Sequence, residues 1–223
     1  MPPDYPGKVV IDNLPLLLEG FWITIWLSIL SSLISLVLGT VIGVARIVPF
    51  RPLRNFGTAY VEFFRNTPLL IQLFFFYHGL PRAGITFSAF ESALWSLAIY
   101  HAAYVAEAVR AGIQSIHRGQ MEAARSLGFS YLATMRYIIL PQAFAIVIPP
   151  LGNLFIALLK NTSLASTIAV AELLYQGEVL DSRTFRTFEV FTAVGILYLC
   201  LTLPLGGFVN LVERRLARAG RGA

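Results

Sequence analysis

FWITIWLSILSSLISLVLGTVIGVA, residues 21–45, runs for 25 positions without a charged side chain. A helix crosses the hydrocarbon core of a bilayer in about 20 apolar residues, so this stretch alone makes a complete span. Residues 190–212 make a second, with 23 uncharged positions. Residues 137–159 are uncharged too, but Pro141, Pro149, Pro150 and Gly152 interrupt them. Each proline removes a backbone donor and crowds the preceding turn, which predicts a kinked or broken helix there. Two further spans accept some polarity: residues 58–79 with Glu62 and Arg65, and residues 92–110 with His101 and Glu107. The pattern is that of an all-α integral membrane protein with five transmembrane helices in one domain, residues 1–223. Residues 163–175 are apolar but too short to cross, and read as a short or re-entrant segment.

Composition agrees with the spans. The 223 residues are 57% hydrophobic and 13% charged, whereas a soluble domain carries about 25% charged residues. A soluble enzyme or a nucleic-acid binder is excluded on that ground, despite a net charge of +5. Cys200, the single cysteine, has no disulfide partner in the chain and reads as a buried thiol in an apolar segment. The first twenty residues carry Asp4, Asp12 and Glu19 against Lys8 as their only base, which is not the pattern of a cleavable signal peptide. His78 and His101 have no second ligand at metal spacing, and His117 reads as a loop histidine. No metal or cofactor is expected.

The basic residues set the orientation. With the N-terminus outside, eleven lie in the inner segments: Arg46, Arg51, Arg54, Arg110, Arg118, Arg125, Arg136, Arg214, Arg215, Arg218 and Arg221. Only Lys8, Arg82, Arg183 and Arg186 fall outside. The split predicts N-out and C-in, with a basic face beside an anionic leaflet. No internal repeat appears, which weighs against two fused inverted halves and makes a second copy or a paralogue the natural partner.

Between the third and fourth spans, on the inner side, lies HRGQMEAARSLGFSYLATMRYIILPQ, residues 117–142. Gln120 to Leu127 favours a helix, Gly128 stops it, and Ser130 caps a second short helix toward Tyr137. Met121, Ala124, Gly128, Leu132 and Met135 fall on one apolar stripe. Ala123 and Ala124 let a partner approach closely. From these residues alone the segment is a helix packed on the bilayer or a lever between a soluble partner and the spans.

Its fixed positions decide between them. Glu122-Ala123-Ala124, three residues, Gly128, nine residues, then Ile138-x-Leu140-Pro141 resembles the EAA loop of permease subunits in bacterial ABC importers. The resemblance implies that residues 117–141 form a cytoplasmic coupling helix docking on a separate ATPase. Glu122, Ala123, Ala124 and Gly128 match the motif, with Gly119 and Gln120 leading into it. ATP and its magnesium would be held by that partner, since the chain has no G-x-x-x-x-G-K-[ST] phosphate cradle.

More of the chain is similar to one branch, the polar amino acid importers of the histidine and glutamine permease type. Arg65-Asn66-Thr67-Pro68-Leu69-Leu70-Ile71-Gln72 looks like its second span, with Asn66 where Gly is usual. Ala103-Tyr104-Val105-Ala106-Glu107 and Arg110-Ala111-Gly112-Ile113 look like its third, with Ala111 for a frequent Gly. Leu159-Lys160-Asn161-Thr162-Ser163-Leu164 resembles the exit of its fourth. The resemblance covers about residues 14–215 and implies a multi-pass protein of the bacterial cytoplasmic membrane, fed by an external solute-binding protein. Many members carry Asp where Asn161 stands, so neutral or acidic amino acids are expected over basic ones.

Charges inside spans are costly and need a partner. Glu107 and Lys160 are expected to line a polar cavity, Lys160 toward a substrate carboxylate and Glu107 toward its ammonium, unless the two simply pair with each other. Gln72, Asn161, Thr162 and Ser163 would add hydrogen bonds. Glu62 and Arg65, three apart on a helix, suggest a local ion pair. Trp22, Trp26 and Tyr77 read as interface anchors or packing. Glu172, Glu178, Asp181 and Glu189 make the outer surface acidic, either solvated or a docking face. Two competing classes remain: an ion-driven amino acid carrier, which works without ATP, and an intramembrane hydrolase. The hydrolase needs a nucleophile–base pair or two metal ligands, and His101 and Glu107, six apart, face opposite sides of one helix.

Overall fold

A computed structural model describes residues 7–219, so Asp4 and Arg221, counted above, lie outside the described residues. Among these residues every regular element is helical: α1 Lys8–Asp12, α2 Leu14–Ala45, α3 Arg51–Asn66, α4 Leu69–Phe74, α5 Ala89–Gln114, α6 Arg118–Ser126, α7 Tyr131–Thr134, α8 Leu140–Asn161, α9 Leu173–Thr184 and α10 Thr187–Ala219. Three helical stretches are both long and apolar enough to cross a membrane: Leu14–Ala45, Tyr131–Ile168 and Thr187–Leu216.

The fold divides into two compact units. One contains the residues through Leu33, Pro68–Ala98 and Phe155–Leu205; the other contains Ile34–Thr67, Ile99–Leu154 and the chain from Gly206 onward. In the first, Leu17, Leu173, Leu180, Val190 and Val194 make the buried cluster. The second is built on small residues. Ala102, Ala103 and Ala106 of α5 are fully buried, and Gly39 and Gly43 of α2 lie directly against this helix. Two glycines four apart present no side chain to a neighbour, which is how helices come close without water to drive them together.

α2 shows inverted amphipathicity. Thr24, Ser28, Ser31 and Ser35 are buried, while Trp22, Trp26, Ile29, Leu33, Val37 and Val41 are exposed. Small hydroxyl side chains suit close packing because the backbone absorbs them, as when Ser28 donates to the Thr24 carbonyl at 2.7 Å. The exposed row is the face a lipid would solvate. Cys200 also lies exposed on α10 rather than buried.

The helices break in places other than those expected. No single helix covers residues 58–79: α3 stops at Asn66, Thr67 and Pro68 are extended, and α4 starts at Leu69. Proline forces the residue before it out of the helical region. α8, by contrast, runs unbroken through Pro149 and Pro150. The irregularities flank it. A π-turn at Met135–Ile139 lies just before Pro141, where the missing Pro141 donor leaves the Tyr137 carbonyl without its usual partner. At the other end the helix tightens to a 3₁₀ segment, Thr162–Ile168. There Thr162, Ser163 and Thr167 each donate a hydroxyl to the carbonyl three residues back.

Ser88 and Glu91 form a reciprocal cap at the start of α5: Glu91 N–H donates to the Ser88 hydroxyl, and Ser88 N–H donates to the Glu91 carboxylate at 2.8 Å. These donors hold the Glu91 carboxyl below the usual range. Glu172, counted above as a surface acid, is fully buried. Its carboxylate accepts from Tyr198 at 2.7 Å, from Thr24 at 3.4 Å and from the Tyr175 amide at 2.8 Å, so three distant segments meet on one side chain.

Candidate functional site

The turn around Gly128 takes the form its residues dictate. α6 begins at Arg118, with His117 Nδ1 accepting from the Gly119 amide at 3.1 Å. It ends where Gly128 adopts φ +85°. The Phe129 amide then reaches back to the Ala124 carbonyl at 3.1 Å, and the Gly128 amide to that of Arg125 at 3.0 Å. That pair of bonds satisfies two carbonyls that the helix end would otherwise orphan. Ser130 caps α7 by accepting from the Ala133 amide at 3.2 Å. Glu122 and Ala123 are exposed while Ala124 is buried. The expected single stripe is divided: Ala124 turns inward, but Leu132 is 77% exposed, as is Leu127 at 79%. The surface around Glu122 is therefore a rigid, partly apolar knob.

Because no atom lies within 4 Å of a Cβ at Gly128, only the backbone opposes a side chain there. Gly128→Ala is expected to cost about 1 kcal/mol, the usual penalty for a left-handed L-residue. Hydrogen exchange at the Phe129 amide should then accelerate, whereas Gly128→Asn, which tolerates this conformation, should leave it closer to native.

A charge cluster lies in the same unit. Glu107 of α5 accepts from Arg46 at 2.5 Å and from Arg110, and lies 3.9 Å from Arg65. Arg65 also sits over the Tyr104 ring, 5.2 Å from its centre, and Tyr104 shares a 2.9 Å hydroxyl contact with Tyr100. The carboxylate aimed above at a substrate ammonium, or at Lys160, is thus held by three guanidinium groups. Arg65 turns to Glu107 and Tyr104 in place of Glu62. A cavity of about 350 Å³ opens beside the cluster, lined by Arg46, Glu62, Arg65, Asn66, Tyr104 and Glu107. The cavity wall sets two arginines, Arg46 and Arg65, beside two carboxylates, Glu62 and Glu107, so it offers charge of both signs.

The remaining expected residues belong to the other unit. Lys160 is exposed at the end of α8, Asn161 is half-buried and Thr162 is fully buried. The hydroxyls of Thr162 and Ser163 are donated to the main chain. Gln72 is buried on α4, which packs against Thr162–Ile168. Sequence reading grouped these residues with Glu107 but missed the arginines that hold it. Arg46 lies 61 positions away, and no local spacing announces such a pair.

Among the described residues no group of three His, Cys, Asp or Glu could hold a metal ion. Residues 31–218 match the family model described as binding-protein-dependent transport system inner membrane component. The chain is 48% identical over 212 residues to the probable glutamine ABC transporter permease GlnM of Bacillus subtilis, covering 95% of this chain and 98% of that protein. It is 38% identical over 205 residues to the glutamine transport system permease GlnP of Escherichia coli, covering 91% and 94%. A solved amino acid ABC transporter with histidines superposes with a TM-score of 0.89 at 38% identity, over 96% of this chain and 100% of that one. An inward-facing structure of the MetNI methionine ABC transporter shares the fold, with a TM-score of 0.80 at 21% identity over 92% and 98%. With matches of this extent, the chain belongs to the family of binding-protein-dependent transport system inner membrane components, the permease subunits of ABC transporters, and is a transport subunit rather than an enzyme.

Proposed function

We propose that the chain is the transmembrane subunit of an ATP-driven importer that moves a polar amino acid into the bacterial cytoplasm. The observation that carries the reading is the turn at Gly128: a capped helix bearing exposed Glu122 and Ala123, closed by two backbone bonds and followed at once by a second capped helix. Such a knob can transmit a push because it has few soft joints. Gly119, Gln120, Glu122, Ala123, Ala124 and Gly128 make the coupling surface for a separate ATPase, which binds ATP and magnesium. ATP binding then biases the pathway between inward- and outward-open states. Five spans, N-out and C-in, place this surface in the cytoplasm. The 26-residue α5 is long enough to be one of them.

An external solute-binding protein delivers the substrate, and a second copy or a paralogue completes the pathway. Two polar stations serve it within the chain. Lys160, Asn161, Thr162 and Ser163 with Gln72 form one. The cavity beside Glu107 forms the other, with Arg46 and Arg65 beside Glu62 and Glu107 in its wall. Asn161 favours a neutral or acidic amino acid over a basic one, and the relatives named for glutamine support a neutral side chain.

The test is substrate-stimulated ATP hydrolysis in proteoliposomes that hold the permease, its ATPase and its binding protein. One polar amino acid should stimulate hydrolysis several-fold, and Glu122→Ala should remove the stimulation while the subunits still co-purify. Uptake driven by an ion gradient, with no ATPase bound, would sink the proposal in favour of a carrier.

A further inference from the structure

A second cavity, of about 700 Å³, lies beside the coupling turn and is larger than the one at Glu107. It is an open cavity lined by the connection from α2 to α3, the end of α5, the start of α6 and the π-turn before α8. Its polar wall is cationic: Arg46, Arg54 and Arg118, with His117, and no carboxylate. The rest of the lining is largely apolar and includes Ile113, Met121, Met135 and Ile139.

Arg46 joins this cavity to the charge cluster at Glu107. Its side chain is only 10% exposed. One of its terminal nitrogens donates to Glu107, yet its Nε is buried without a hydrogen-bond partner. Next to the basic mouth, on and before α3, Phe50, Leu53 and Phe56 are 66%, 44% and 69% exposed, an apolar surface for acyl chains.

We propose that this cavity binds the phosphate head group of an anionic phospholipid, with Arg54 and Arg118 as its main cations. Half-cationic, half-apolar lining is what discriminates. A free inorganic anion would meet the guanidinium groups but leave the apolar wall wet. A zwitterionic head group would bring in a cation that has no carboxylate to receive it. Once bound, the lipid ties α6 to the ends of α2 and α5, and membrane composition sets the stiffness of the coupling turn. The inference requires only that the chain is a membrane protein, and it stands or falls independently of the transported solute.

The experiment is a titration of the full-length permease in non-ionic detergent, read by native mass spectrometry. The probes are phosphatidylglycerol, phosphatidylcholine and inorganic phosphate. Phosphatidylglycerol should be retained most strongly. Arg54→Gln and Arg118→Gln should each weaken it about fivefold, and together about thirtyfold, on the scale of one basic residue near an anionic surface. Arg54→Lys combined with Arg118→Lys should restore most of the affinity. An unchanged melting temperature in the glutamine pair separates lost binding from lost fold; if that pair melts early, the lysine pair and wild type, compared across the two lipids, carry the test. Equal retention of both lipids, or an affinity that the double substitution does not change, would overturn the site. Phosphate bound as tightly as phosphatidylglycerol would overturn its assignment to lipid.

Discussion

Glu107→Gln should destabilise the permease by about 2–4 kcal/mol, because it removes the carboxylate that three arginines share. The figure sits below the full cost of breaking a buried pair because Glu107 keeps 27% of its side chain exposed. What remains after the change is the main source of the loss: Arg46, nine-tenths buried, keeps its charge with no counter-ion. The measurement is thermal unfolding of the detergent-purified chain, with the melting midpoint falling by several degrees. A second variant isolates the cause. In the Glu107→Leu background, Arg46→Met should recover part of the loss, since the two charges are coupled and their costs do not add. A Glu107→Gln protein as stable as wild type would show that the cluster contributes nothing to the fold.

Gly39→Val should be as damaging for a different reason. A Cβ at Gly39 falls 2.5 Å from the Val105 Cβ and 2.6 Å from the Ala102 carbonyl oxygen. Neither atom belongs to the free end of a flexible side chain, so α5 must move as a body. Overpacking costs about 1–3 kcal/mol and occasionally more, and a clash with backbone belongs at the upper end of that range. Separation would also undo the burial of Ala102, Ala103 and Ala106. Gly195→Ala, in α10, is the matched control. Nothing lies within 4 Å of its Cβ, and losing a helical glycine should leave stability unchanged or raise it by up to about 1 kcal/mol. Helicity followed through a detergent denaturation series would read both. Equal midpoints for Gly39→Val and wild type would refute the close approach.

How far the sequence was legible depended on the range of the interaction. Residues 21–45 sit inside α2 and residues 190–212 inside α10, because length and apolarity are properties of the stretch itself. The Gly128 stop and the Ser130 cap were readable for the same reason: the bonds they form span a few residues. Two further local signals, the Ser88–Glu91 cap and the Gly39–Gly43 spacing, were present but not used. Pro68, inside an expected span, fixes the break after α3, while at Pro149 and Pro150, where a kink or a break was expected, α8 stays continuous. A proline's effect depends on whether neighbours hold the surrounding turns, and neighbours are not written in the window. The helix end at Gly128 and the cap at Ser130 were therefore legible as local structure. The polar station at Glu107 was not, because its partners come from α2 to α3 as well as α5.

The carboxylate of Glu172 has a bearing on how the chain is made. It draws on Thr24, which lies 148 positions earlier, and on Tyr198, which comes 26 positions later. A membrane protein leaves the ribosome N-terminus first, so Thr24 is in place long before the last donor is synthesised. Until α10 emerges, the acid has one donor fewer than it needs, in surroundings where an unsatisfied polar group is expensive. The bond from Tyr198 is then a signature of completed synthesis. A chain stopped short of α10 would carry the mark of its own incompleteness: a buried carboxylate lacking its Tyr198 donor.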